Sequence, residues 1–490
     1  MQPNVPLLTI KTFYRLLFFF FLLCQPWKAG AQLCTGSLGD PVINITFGDS
    51  RSPASPLGSA FTDYTYAAND CPIDGSYTIR KSTAQCFGDT WHTIPKDHTG
   101  DGGYFMMVNA SFNPGNFFVH SISGLCANTT YEFAAWVLNL MRQFNSILPN
   151  LTFSIESKNG VVLKTYNTGD LPVTAAPHWE QHGFFFKTPE DVTDIVLKIT
   201  NNAPGGIGND LLLDDITFRP CGPNLQATTR NQTDTIHMCE ESSFPVSFTA
   251  DVSTGYSEPV FYWQQSTDSG ANWQDVPGAH TTTLVRHPTS PGAYWYRLSA
   301  AEKQNSSRSS CRVASNIIVV QVHPTPLATA GEDKIIIKGN ESRLGSKPAE
   351  TGLLYNWMPA LYLDSAGSAR PRSRPEADIE YTVTTTSAFG CSSSDAVAIK
   401  VVEQLYVPNA FTPNGDGRND VWRIPFLDPA LGAVVKVYNR YGELVYNVTG
   451  STVAWNGTFR GKPQPTGTYV YVIETGKGTP PLKGTFVLIR

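Results

Sequence analysis

The sequence predicts an all-β, multidomain chain, and three observations carry that expectation. Charged residues make up only 16% of the 490 while aromatics reach 12%, a balance that suits short, half-buried strands and not helices or coiled coils. Glycine (40) and proline (35) recur along the whole chain, so turns are frequent. Between the turns lie short runs rich in Val, Ile, Phe, Tyr and Thr, with no convincing amphipathic helical period. A chain of this length accommodates roughly three to four domains. The expected architecture is a series of β-sandwiches. The formal charge is −5, the acids are dispersed, and no Lys/Arg cluster exists of the kind a phosphate backbone requires, which argues against nucleic acid as a partner.

Residues 1–31 read as a signal peptide. Lys11 and Arg15 precede the apolar run Leu16–Leu23, and Ala29-Gly-Ala31 supplies a small-residue cleavage pattern. The apolar run is too short to span a bilayer, so no transmembrane anchor is expected after cleavage. Cys24 falls in this segment, and Leu23 stands where a lipoprotein signal needs a small residue. The other eight cysteines enter an oxidising compartment, where disulfides are the default.

Residues 32–223 hold nine strand-like runs, among them Tyr131–Leu138, Ile195–Ile199 and Leu211–Phe218, which point to an antiparallel sandwich. The last run, containing Leu213-Asp-Asp-Ile-Thr-Phe218, resembles the closing strand of jelly-roll carbohydrate-binding and galactose-binding-like modules. The order of "TYEFAAWVLN", "WEQHGFFFKTP" and "VLKITNNAPGG" before it fits the same family. That resemblance implies a jelly-roll sandwich, a glycan or other surface polymer as ligand, and a structural calcium ion held by Asp214 or Asp215 together with an acid of the first strand. The first strand, Ile43-Asn-Ile-Thr-Phe-Gly48, lacks that acid.

Sugar rings are held by flat aromatic faces with a few polar groups at the rim. The candidates are Trp91, His92, Tyr104, Trp136, Trp179, Phe117 and Phe118. Trp91 and His92 lead, because the surrounding "FGDTWHTIPKDHTGDGGY" is polar, turn-rich and expected to be exposed. Tyr104 follows. Trp136 lies in an alternating strand and is read as core, whereas Trp179 precedes a strand and fits either role. Asp97, His98 and Asp101 share the turn-rich stretch with His92, where a solvated turn competes with a metal or acid–base cluster. No pair of carboxylates is marked as the facing couple of a glycosidase, and no nucleophile elbow, HExxH or phosphate-binding glycine loop is present. Catalysis therefore has no signature in the sequence. Among the cysteines, Cys71 and Cys86 bracket a short segment, and Cys34 and Cys221 sit at module ends that meet in many sandwiches. Cys126 is left over, and the connectivity stays open.

Residues 224–322 resemble an Ig-like domain. Cys239, Trp263 in "VFYWQQS" and Cys311 match its pattern of a cysteine pair packed on a tryptophan, although Cys311 follows an "NSSRSS" loop instead of lying in the Tyr-rich strand. The resemblance implies a Cys239–Cys311 bridge. His323-Pro-Thr-Pro326 reads as a stiff linker. Residues 323–402, with "LLYNWMPALYL" and "IEYTVTTTSAFGC", are similar to PKD/Ig-like repeats. Ile337 stands where such repeats carry the partner of Cys391, so Cys391 is a free thiol or pairs outside its domain. Both middle modules are expected to be spacers.

Residues 403–490 open with "VPNAFTPNGDGRNDVW" and continue through "VKVYNRYGELVY", "WNGTFRGKPQPTGTYVYVI" and "LKGTFVLIR". These segments closely resemble the gliding-motility-associated C-terminal domain, a sorting module of type IX secretion in gram-negative bacteria. The residues that carry the match are Pro408, Asn409, Phe411, Thr412, Pro413, Asn414, Gly415, Asp416, Gly417, Asn419 and Asp420. The resemblance implies handling by the type IX machinery and delivery, through the periplasm, to the outer surface or the medium. Asn414, Asp416, Asn419 and Asp420 suggest a calcium loop, but no bidentate Glu closes it, and successive Asx turns are the simpler reading. The whole chain is thus expected to be a non-enzymatic, exported glycan- or surface-polymer-binding protein. The alternatives are a structural or protein–protein adhesin and, less, a polysaccharide hydrolase in the first module.

Overall fold

The computed structural model describes residues 33–490 other than 143–144, 192, 404, 426, 428–432, 451–452 and 475–479. The expected signal peptide, 1–31, lies outside these residues. The described chain is essentially all-β, with two single-turn 3₁₀ helices at Lys303–Asn305 and Ser309–Cys311. It forms two compact units, one of residues 33–236, 244–287 and 293–320 and the other of 237–243, 288–292 and 321–490.

The first unit begins with eleven strands: β1 (Ile43–Ile45), β2 (Thr65–Tyr66), β3 (Ser76–Arg80), β4 (Phe105–Asn109), β5 (Asn116–Ile122), β6 (Thr130–Asn139), β7 (Asn150–Ser157), β8 (Val162–Asp170), β9 (Glu180–Lys187), β10 (Ile195–Asn201) and β11 (Leu211–Pro220). A seven-stranded sheet runs β2-β3-β4-β11-β6-β9, with β1 added beside β11, and a four-stranded sheet runs β5-β10-β7-β8. The period-2 alternation of β10 shows why they stack: Ile195, Leu197 and Ile199 are buried, while Val196, Lys198 and Thr200 are half-exposed. They join Phe133, Phe153, Leu211, Leu213 and Phe218 in the core between the sheets. The intervening residues of the large sheet are also apolar at one end. Met107, Leu138 and Leu212 pack with Trp91, Ile94 and Leu140 in a second cluster on its outer face. The Cys71–Cys86 bond lies against that cluster. Farther along, the outer face turns polar.

The first unit also holds an Ig-like sandwich. Leu225–Thr229, Val246–Val252 and Thr283–Arg286 form one sheet, and Pro259–Ser266 pairs with Gly292–Glu302 in the other. Trp263 is wholly buried between them, 5.8 Å from Phe248. This sandwich is fastened to the first. Asp40 takes both arms of the nearly buried Arg297 at 2.8 and 2.6 Å, Ala314 N donates to Leu38 O at 3.1 Å, and Cys126 is bonded to Cys311. It is a built-on support, not a free spacer.

In the second unit Leu353–Met358, Ile379–Ser387, Ser392–Val402 and Lys334–Ile337 form a four-stranded sheet around Trp357. The C-terminal module is a five-stranded sheet in which Ala410–Phe411, Leu482–Leu488, Gly467–Glu474, Val434–Tyr438 and Leu444–Thr449 follow one another. Its core stacks Trp422 on Phe486 at 4.1 Å and sets Trp455 edge-on to Tyr469.

Cys34 bonds Cys221 and Cys71 bonds Cys86, the pairings suggested by sequence position. The expected Cys239–Cys311 bridge is corrected. Cys311 takes Cys126, the leftover cysteine, and Cys239 takes Cys391, so Cys391 is not a free thiol. The Ig-like pattern misled because Cys311 lies in a 3₁₀ turn after the Tyr-rich strand, out of line with an inter-sheet bond.

Candidate functional site

The polar half of the large sheet's outer face is a cleft of about 630 Å³. Its floor comes from Asn44 and Thr46 around β1, Trp136 of β6, Gln181 of β9, and Asp215, Thr217 and Arg219 of β11. The loop 97–103 forms a wall. Trp136 is half-buried between Ala135 and Val137, both of which face the core, so the strand's alternation turns the indole outward. Gln181 lies directly across from it. Thr217 Oγ1 is buried and has no hydrogen-bond partner among the described residues.

Asp214 and Asp215 are consecutive and would face opposite sides of a regular strand. A break in register between Asp214 and Thr217 opposite β6, with φ of 40° at Asp215, forms a bulge that brings both to one side. There His98 Nδ1 lies 3.3 Å from Asp214 Oδ2 and 3.1 Å from Asp215 Oδ2. The imidazole stacks on Trp136 with centroids 4.5 Å apart. Asp97, buried beside it, accepts from Gly100 N and Thr99 Oγ1, both at 2.8 Å. Asp101 accepts from Gly103 N at 3.0 Å. A Cβ on Gly103 would come within 2.5 Å of Asp97 Oδ2, so a side chain there would push the Asp97 carboxylate out of its place in the wall.

The electrostatics follow from this crowding. Asp214 is 2% exposed, and burial, reinforced by the charge of Asp215, lifts its carboxyl to about 8. Asp215 is raised by burial too, with Asp97 and Asp101 adding to the rise and His98 opposing it. No lysine or arginine is ion-paired with Asp97, Asp101, Asp214 or Asp215 among the described residues.

The sequence candidates fall out differently from expectation. Trp91 and His92 are corrected from exposed to buried, at 1% and 4% exposure. Trp91 anchors the second cluster and donates from Nε1 to Asp210 Oδ2 at 3.1 Å, and His92 Nε2 meets Thr174 O at 3.1 Å. Their polar neighbourhood folds back over an apolar sheet face that the strand pattern did not reveal. Tyr104 packs partly on the core with the Lys81 ammonium 4.9 Å from its ring centroid. Trp179 is half-buried and sits edge-on to His98 at 6.2 Å. Phe117 and Phe118 are wholly core. Trp136, read as core, is the aromatic that lines the cleft, and the fully buried neighbours on both sides of it were the available signal.

The C-terminal motif is a different kind of site. Asp420 accepts from Gly415 N at 2.6 Å and Gly417 N at 2.8 Å, and Asp416 accepts from Arg418 N at 2.7 Å. Asn414 Oδ1 accepts from Asp416 N at 3.2 Å, so the acids serve the turns. Trp422 Nε1 donates to Pro408 O at 2.9 Å, tying the motif to the core.

Residues 405–489 match the CHU_C Type IX secretion signal domain. The chain thus carries a C-terminal signal for type IX export, to the cell surface or beyond it, and among the described residues no helix is long and apolar enough to cross a membrane. No curated protein matches the chain. Among solved structures, it overlaps the CBM22-1 xylan-binding domain from Paenibacillus barcinonensis Xyn10C at 15% identity and a TM-score of 0.21, over 38% of this chain and 97% of that one. A Family 16 carbohydrate-binding module overlaps at 17% identity and a TM-score of 0.18, over 24% and 77%. The enzymatically active domain of Bacteriophage CBA120 tailspike protein 4 overlaps at 10% and 0.21, over 30% of this chain and only 18% of that one. Overlaps this slight carry no argument about ligand or reaction.

Proposed function

We propose that the first module is a non-enzymatic binding head for a glycan or related surface polymer, carried out of the cell by the C-terminal signal domain. The observation behind this reading is the cleft beside Trp136. One half-buried indole is ringed by an amide (Gln181), a guanidinium (Arg219) and carboxylates. That combination of an apolar ring face and short polar groups is what a pyranose ring asks for. Trp136, Gln181 and Arg219 replace Trp91 and His92 as the residues expected to touch ligand. Tyr104 and Trp179 are not among the residues that line the cleft. Screening the mature chain against a glycan array and insoluble polysaccharides tests the reading. Saturable binding to at least one polymer is expected, and no binding to any would count against it.

A protein–protein adhesin is the second reading. What favours it is a pair of exposed apolar side chains on neighbouring loops, Phe112 at 65% and Ile207 at 77%, where Gly205 N bonds to Phe112 O. On that reading Phe112→Ser abolishes adhesion and Trp136→Ala does not.

A further inference from the structure

The resemblance noted from the sequence implies a calcium ion shared between the last strand and an acid of the first. The acid of the first strand that would share that ion is missing. The strand next to β11 offers only neutral side chains, Asn44 and Thr46, and the group that meets both acids is an imidazole nitrogen. Calcium takes six to eight oxygens, whereas imidazole with carboxylate suits the borderline divalent metals.

We propose that His98, Asp214 and Asp215 form a site for one divalent cation of the zinc class, at the edge of the cleft, which Asp215 alone of the three lines. One ligand atom from each lies within 4.8 Å of the other two, a spread a single ion can gather. The ligands come from two separate parts of the chain, the loop before β4 and the bulge of β11. Stacking on Trp136 holds the imidazole plane. A further argument is charge. Asp214 and Asp215 both meet one imidazole, Asp97 and Asp101 line the same cleft as Asp215, no lysine or arginine is ion-paired to any of the four among the described residues, and Asp214 is almost wholly buried. A dication would supply a counter-charge for these acids. Three protein ligands leave the fourth tetrahedral position to water or to an oxygen atom entering from the cleft.

The site does not depend on the glycan reading, and its test does not use glycan. The mature chain, stripped with chelator, is titrated with Zn²⁺ and with Ca²⁺ by calorimetry, and Co²⁺ is added as a visible-absorption probe. One equivalent of Zn²⁺ is expected to bind, with cobalt bands of a four-coordinate nitrogen/oxygen site. His98→Ala and Asp215→Asn should each weaken Zn²⁺ roughly tenfold or more, with circular dichroism confirming folding. His237→Ala, which removes an unrelated histidine pair with His323, should leave the titration unchanged. The proposal is overturned by no saturable Zn²⁺ binding, by binding that survives His98→Ala in full, by loss in His237→Ala instead, or by Ca²⁺ binding that Zn²⁺ does not compete away. If His98→Ala does not fold, His98→Gln and Asp215→Asn are read in its place.

Discussion

The modules at the two ends of the chain use tryptophan and aspartate in opposite ways. In the C-terminal module Trp422 and Trp455 are both buried in one aromatic core, and its turn loop engages Asp420 through two backbone N–H groups and Asp416 through one backbone N–H and the Asn414 amide. In the N-terminal module Trp136 stands in the floor of a cleft, and Asp214 and Asp215 are pressed against one imidazole and each other. The first arrangement satisfies itself. The second crowds two acids against one stacked imidazole, with no lysine or arginine paired to them among the described residues, which is why the proposed site is placed there. The module whose residues are most recognisable is therefore the address, and the module with unmet chemistry is the cargo.

The largest expected effect separates those roles outright. Deleting residues 405–490 should abolish export, leaving the remainder in the periplasm, as read by fractionation and immunoblot. Secretion of the truncated chain at the normal level would break the division of labour.

Next come the tryptophans of the first module. Trp91→Ala should cost about 3–5 kcal/mol in a denaturant melt, because it empties a packed cluster and strips Asp210 of its indole donor. Trp136→Ala should leave the same melt nearly unchanged. Equal losses would mean that Trp136 is core after all.

Titration offers a smaller contrast, of opposite sign at the two ends. Burial lifts the Asp210 carboxyl to about 7. The folded state then holds that proton more tightly than the unfolded chain does. Its contribution is greatest below an unfolded value near 3.8 and is lost as pH rises towards 7. Asp416 is held below its usual value by Asn414 and by Arg418 N, so its contribution is present above the unfolded value and lost as pH falls. Asp210→Asn should flatten the decline in stability between about pH 4 and 7, and Asp416→Asn should flatten only the acid limb. The smallest effect is that of Asp420→Ala, which removes two hydrogen bonds to glycine amides and should cost about 1–2 kcal/mol in the melt of the C-terminal module.

Much of the architecture was legible because it is written locally. Ile195–Ile199 and Leu211–Phe218 alternate or run apolar between turn residues, and they became β10 and β11. The tail was legible because its turn loop and its aromatic core lie in one contiguous stretch. The site was not, for two physical reasons. Trp91 sits in polar sequence yet is covered, because its loop folds onto an outer sheet face made apolar by Met107, Leu138 and Leu212. Trp136 sits in apolar sequence yet faces out, because the face it shares turns polar just beyond that cluster. Two of the four disulfides failed in the same way. Cys126–Cys311 and Cys239–Cys391 each join two of the modules read from the sequence, and spacing within one module carries no trace of them. The meeting of His98 with Asp214 and Asp215 depends on a bulge, and nothing in "LDDITF" announces one.

The central claim is that the cleft beside Trp136 is where this exported protein meets its polymer. The most direct test is the binding isotherm of the mature chain on a polysaccharide it retains, wild type against Trp136→Ala and with Phe112→Ser as the control on the opposing loops. The account predicts that Trp136→Ala loses affinity tenfold or more, roughly what stripping a stacked ring face removes, while Phe112→Ser binds like wild type. Full binding by a folded Trp136→Ala variant would contradict it.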